Sequence, residues 1–194
     1  MKKTLIILSF LWSISNINAQ AFDGYGDVKW IFGASVQSNG AVGLDFINDR
    51  GINDYFSWGW SAGYILTETP NVKVLEDVYD ENGDGQITED EKYYNEYEAD
   101  FFENFYFSYR LNGHLSEVLN MGENADVYLG INLGRNFGAQ AGARYMIGES
   151  FGFNAEATFP IKANLINLRE EGQPNVSESF EKIFFRAGVI INFD

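Results

Sequence analysis

From Asp27 onward, hydrophobic and polar residues alternate with a period of two, which points to strands rather than helices. Over 27–37, Val28, Trp30, Phe32, Ala34 and Val36 fall on one face, with Asp27, Lys29, Ser35 and Gln37 on the other. Ser38-Asn39-Gly40 is a strong hairpin-turn signal. The alternation resumes over 41–47, where Val42, Leu44 and Phe46 oppose Gly43 and Asp45, and residues 48–54 read as a polar turn around Gly51. Residues 55–66 set Phe56, Trp58, Trp60 and Tyr64 against Ser57, Gly59, Ser61 and Gly63. An acidic insert, 67–102, separates these three strands from five more, read over 105–111, 127–134, 139–145, 151–159 and 183–193. Residues 113–124 form a connection, and 168–179 form a second polar, acidic loop.

Eight strands joined as a meander imply an up-and-down barrel, but alternation alone does not say which face is inside. A soluble barrel turns its apolar face inward; a membrane barrel reverses this. The ends of the chain bear on the choice. Lys2 and Lys3, the apolar run 5–14 and Ile17-Asn18-Ala19 have the layout of a secretory signal, so 1–19 reads as a leader and 20–194 as the mature barrel. The polar faces are dominated by Gly and small residues, the aromatics cluster on the apolar faces, and the last strand ends on Phe193. Few Pro and many aromatics favour strands as well.

The leader, the meander and the terminal Ile191-Asn192-Phe193 together resemble the small eight-stranded outer-membrane β-barrels of Gram-negative bacteria. The resemblance covers essentially all of the mature chain and departs at Asp194, which follows the terminal aromatic. It implies an all-β fold, an eight-stranded antiparallel up-and-down transmembrane β-barrel in the cell outer membrane. That barrel would contact outer-membrane lipid as a monomer, with both termini in the periplasm. The connections 38–40, 67–102, 136–138 and 168–179 then face outside, and the two longest fall on that side.

Charge narrows the partners. The chain carries 28 acidic and 13 basic residues, a formal charge of −15, which argues against nucleic acid. Between Glu76 and Glu103 there are 12 acidic residues and one basic residue, Lys92, so the excess belongs to the insert. With no Cys, disulfides, thiol catalysis, thiolate zinc sites and a lipid anchor on Cys are excluded.

Within the insert, residues 80–91 read D-E-N-G-D-G-Q-I-T-E-D-E and resemble the twelve-residue calcium loop of the EF-hand family. The resemblance implies Ca2+ as the bound cofactor. Asp80, Asn82 and Asp84 would supply side-chain oxygens, Gln86 a backbone carbonyl, Thr88 a water-mediated contact and Glu91 the bidentate carboxylate. Gly85 stands where the loop turns sharply and Ile87 at the apolar position. Val74, Leu75 and Val78 before the loop, and Tyr94, Tyr97 and Phe101 after it, have the spacing for one short helix on each side. There is no second copy of the loop.

The remaining chemistry is sparse. Asp27, Lys29, Asp45, Arg110, Arg144, Glu156 and Arg186 share the polar faces and read as an ion-pair network filling a narrow lumen. The only histidine lies in His114-Leu115-Ser116, which resembles the His-x-Ser pair of outer-membrane lipid A deacylases, although Glu117 follows where that family has Asn. The reading is therefore a non-enzymatic outer-membrane barrel displaying a calcium-binding acidic loop at the cell surface. The alternatives are an outer-membrane lipid-modifying enzyme on the same fold and a soluble lipocalin-like ligand carrier.

Overall fold

The computed structural model of the chain describes residues 20–67, 72–78, 92–97, 101–162 and 182–192. Among these residues ten strands and one helical turn follow one another in order. They are β1 (Val28–Gln37), β2 (Val42–Asn53), β3 (Phe56–Ile65), β4 (Val72–Val78), β5 (Lys92–Tyr97), α1 (Phe101–Asn104), β6 (Phe105–His114), β7 (Ala125–Gly134), β8 (Phe137–Met146), β9 (Phe151–Lys162) and β10 (Phe184–Asn192). Eight of them close an antiparallel up-and-down barrel in the order β1-β10-β9-β8-β7-β6-β3-β2. The seam between the first and last strands runs from Lys29 opposite Asn192 to Gln37 opposite Phe184. Closure leaves no unpaired strand edge in the barrel.

The period-two pattern sorts as a membrane barrel would sort it. Lys29, Asp45, Ser57, Ser61, Arg110, Arg144, Glu156 and Arg186 are buried, while Phe32, Leu44, Trp58, Tyr109, Ile131, Phe153 and Phe185 are exposed. A ligand carrier of lipocalin type needs an apolar lumen; this lumen is polar and charged, so that alternative loses its footing. The apolar part of the interior is confined to two small clusters. One, at the end that holds the termini, joins Ala21, Ile31, Ile47, Met146 and Ile190. The other, at the far end, joins Ile65, Tyr106 and Phe184.

Inward glycines make room for inward tyrosines. Gly63 lies opposite Tyr106 and Gly142 opposite Tyr128 in the strand registers. A Cβ on either glycine would come 2.3 Å from the facing tyrosine's ring and hydroxyl atoms. Each ring therefore lies flat over a neighbouring strand, which is how a narrow barrel holds large polar side chains.

Three sequence expectations change. Residues 48–53 are not a turn: β2 runs to Asn53, and Asn48 and Asp49 are buried in the lumen. The polar run looked like a loop because polar residues belong inside this barrel. The true turn is short, with the Asn53 side-chain oxygen accepting the N–H groups of Tyr55 and Phe56 at 2.9 Å each. His114 likewise ends β6 rather than opening a connection.

The expected short helices flanking the calcium-loop pattern are absent. Residues 72–78 and 92–97 are β4 and β5, an antiparallel pair with Val72 opposite Tyr97 and Val78 opposite Lys92. Val72, Val74, Tyr93, Tyr94 and Tyr97 are β-branched or aromatic residues that favour strands, and pairing outweighs the weak helical spacing. The resemblance to the EF-hand thus stops at the loop, because the helix–loop–helix frame is replaced by a hairpin.

Candidate functional site

The lumen holds most of the chemistry among the described residues. Arg110 is its hub: its Nη2 donates to Glu156 Oε2 at 2.5 Å, and its Nε lies 2.9 Å from Asp49 Oδ1 as an ion pair off hydrogen-bond alignment. Arg144 donates to Asp49 Oδ2 and stacks its guanidinium 4.5 Å from the centre of the Tyr128 ring. Arg186 donates from Nε to Asp45 at 2.7 Å and from Nη1 to Glu156 at 2.8 Å. The hydroxyl of Tyr106 donates to Asp45, and that of Tyr128 lies 2.8 Å from Glu156 and 2.9 Å from Asn154. Charges withdrawn from water persist only when paired, and each of the three arginines lies within ion-pair distance of at least one of the three carboxylates. All seven charges expected on the inward face lie where expected. Lys29 and Asp27 pair at 2.9 Å at the terminal end, while Arg110, Arg144, Arg186, Asp45 and Glu156 join the central network. Asp49 is a member that the pattern missed, through its place in the supposed turn.

A second constellation lies near the terminal end. His114 Nδ1 is 2.7 Å from Asp126 Oδ2, and His114 Nε2 is 2.8 Å from Ser57 Oγ. The side-chain amide of Asn112 also donates to Ser57 Oγ at 3.2 Å. The serine paired with the histidine is therefore Ser57, on the neighbouring strand β3, and the sequence neighbour Ser116 plays no part in these contacts. Strand parity carried the signal for this group. Arg110, Asn112 and His114 alternate inward on β6, and Ser57 was already on the polar face of its strand. The three side chains have the mutual distances of a serine–histidine–aspartate relay. Ser57 is fully buried, however, and the ring of Phe22 is stacked on His114 with centroids 3.5 Å apart and planes within 6°.

Phe22 belongs to a segment, 20–27, that folds across the terminal mouth. Ala21 N donates to the Glu123 carbonyl at 2.8 Å, and Ala21 is fully buried. The Lys29 ammonium donates to the Gln20 carbonyl at 3.2 Å, and Gly51 N donates to the Asp27 carbonyl at 2.8 Å. At the opposite mouth an open cup of about 390 Å³, including space open to solvent, is lined by Tyr106, Asn132, Thr158, Phe184 and Arg186 among others. Arg186 joins this cup to the arginine–carboxylate network.

The residues of the calcium-loop pattern, Asp80, Asn82, Asp84, Gln86, Thr88 and Glu91, lie outside the described residues. The structure describes what brackets them. The last pair of the β4–β5 hairpin, Val78 and Lys92, brings the two ends of the connecting stretch side by side. The insert leaves the barrel after β3 and rejoins it at β6, which is β3's barrel neighbour, so the hairpin emerges from the far mouth.

No curated protein matches the chain. Among solved structures it is similar to the de novo designed TMB2.3, determined by NMR in solution. The identity is 10% and the TM-score 0.42, over 89% of this chain and 98% of the designed one. The model of a family of unknown function, DUF6646, matches residues 12–193, and the chain belongs to that family.

Proposed function

We propose that the protein is a non-enzymatic outer-membrane β-barrel that carries an acidic, calcium-binding loop at the cell surface. The observation that carries the membrane reading is the inversion of the barrel. Its apolar side chains, Phe32, Leu44, Trp58, Leu129, Ile131, Phe153 and Phe185 among them, face out all the way round, and its charges face in. An apolar surface of that extent belongs against lipid. With an even number of strands both termini share one end, which is the periplasmic one in such barrels, and the β4–β5 hairpin then points outside. A closed network in the lumen suits a structural or interaction role better than passage of solutes.

For the loop, support comes from the ligand pattern 80–91 and from the hairpin. A calcium loop must converge its first and last ligands, here Asp80 and Glu91, on one ion. The pairing of Val78 with Lys92, which brackets the pattern on both sides, supports such a closure without helices. A single loop of this kind is expected to bind at about 10⁻⁴–10⁻³ M, the range of extracellular modules. Magnesium should compete poorly, because it demands a tighter octahedral shell.

Two measurements test the reading. The protein should sediment with the outer membrane and migrate faster on gels unheated than boiled; a monodisperse protein in detergent-free buffer would refute the membrane assignment. Millimolar calcium should protect residues 76–103 from protease in the wild type and much less in Glu91→Gln. Equal protection in both, or none in either, would reduce the loop to an acidic turn.

A further inference from the structure

We propose that Gln20 is a modification site, closing on itself to an N-terminal pyroglutamate once the leader is removed. The inference rests on reading 1–19 as a signal peptide that ends at Ala19. In the closure the Gln20 α-amine nitrogen attacks its own side-chain Cδ. A new N–Cδ bond forms the lactam ring, the Cδ–Nε2 bond breaks, and the departing nitrogen takes up the amine proton and leaves as ammonia. No oxidant, reductant or second substrate enters the balance.

The mouth of the barrel leaves room for that product. From its carbonyl onward, Gln20 leads into an anchored segment. The carbonyl accepts from Lys29 Nζ at 3.2 Å, Ala21 N donates to the Glu123 carbonyl at 2.8 Å, Ala21 is fully buried, and Phe22 is stacked on His114. Gln20 itself is exposed, so its amine and side chain lie on the open side of the anchor.

Charge gives the closure its physical advantage. The Lys29 ammonium is buried at 2% exposure and has one carboxylate within ion-pair distance, Asp27 at 2.9 Å. A free α-amine is largely protonated at neutral pH, its ordinary pKa being about 7.7–8.0. It would place a second cation on the very residue whose carbonyl Lys29 holds. Asp23, Asp54 and Glu123 at this mouth are exposed, where ion pairing is weak, and the buried Asp126 is already held by His114. Ring closure removes the second charge and leaves a neutral lactam N–H and C=O, as other terminal caps remove terminal charge.

The test is the mass of the tryptic peptide 20–29 from protein purified out of the outer membrane of its own host. The expected peptide starts at Gln20, is lighter by one ammonia and resists amine-reactive labels. Gln20→Asn, whose shorter side chain cannot close the same ring, should keep both its ammonia and a reactive amine. A wild-type peptide that starts at Gln20 with a free amine overturns the inference while leaving the leader reading intact. A peptide that starts at any other residue overturns both.

Discussion

Arg186 Nε donates to Asp45 Oδ1 at 2.7 Å, tying β10 to β2 across the strand between them, β1. The pair therefore staples the seam where the first and last strands meet, and each partner has a further hold. Asp45 accepts from the Tyr106 hydroxyl, and Arg186 reaches Glu156 and Thr158. Asp45→Asn should leave a buried guanidinium short of one counter-charge and cost about 3–5 kcal/mol, the range for breaking a buried pair from one side. Urea unfolding of the folded barrel in detergent micelles measures it. Adding Arg186→Met to Asp45→Asn should recover part of the loss, since the orphaned charge goes with the arginine. Equal or additive losses would mean that the pair is not coupled.

The glycine–tyrosine pairs should be equally sensitive, through shape instead of charge. A methyl group at Gly142 would meet the Tyr128 ring at 2.3 Å, and the ring is fully buried beneath Arg144. Gly142→Ala should therefore destabilise the barrel by about 1–3 kcal/mol, as overpacking does. Tyr128→Phe keeps the ring but removes the hydroxyl that bonds Asn154 and Glu156, for a loss of about 1–3 kcal/mol. If the double variant Gly142→Ala/Tyr128→Ala is no more stable than Gly142→Ala alone, the ring is not what the methyl group strikes.

The lumen should not conduct. Arg110, Arg144 and Arg186 project into the interior and pair there with Asp45, Asp49 and Glu156, and the segment 20–27 covers one mouth. An eight-stranded barrel is wide enough only for side chains to fill it. Reconstituted in a planar bilayer, the protein should show no large steady conductance. Open-channel currents on the scale of wide porins would mean that the network parts.

Much of this fold was legible because period two states which residues share a wall, and a membrane barrel makes that wall either wholly apolar or wholly polar. Trp58 and Arg110 could be placed on opposite faces from spacing alone. What misled was polarity read as exposure. Asn48 and Asp49 look like a turn to any rule that sends polar residues to the surface, yet Asp49 holds two arginines in the interior. The partnership of Ser57 with His114 was illegible for another reason. It joins residues 57 apart, and only the register that sets Ser57 opposite Asn112 brings them together. The β4–β5 hairpin was hidden because Val74, Leu75 and Val78 fit a helix and a strand about equally well.

The Ser57–His114–Asp126 group has the distances of a catalytic relay, and its burial predicts that it does not act as one. With His114 Nδ1–H donating to Asp126, Nε2 is left to accept the Ser57 hydroxyl proton, the polarity that an acyl-transfer relay requires. What is missing is reach: Ser57 is fully buried, and Asn112 occupies its oxygen. The same contacts give the group a structural role, since each side chain satisfies another in a water-poor interior. Ser57→Ala should then cost about 1–3 kcal/mol by leaving His114 Nε2 without its donor. Neither Ser57→Ala nor His114→Ala should change the acylation of outer-membrane lipids. A fluorophosphonate probe should label neither the wild type nor Phe22→Ala, which strips the ring from His114 without touching the three side chains. Labelling of Phe22→Ala that disappears in Phe22→Ala/Ser57→Ala would make the serine a nucleophile held under a lid, and the barrel an enzyme.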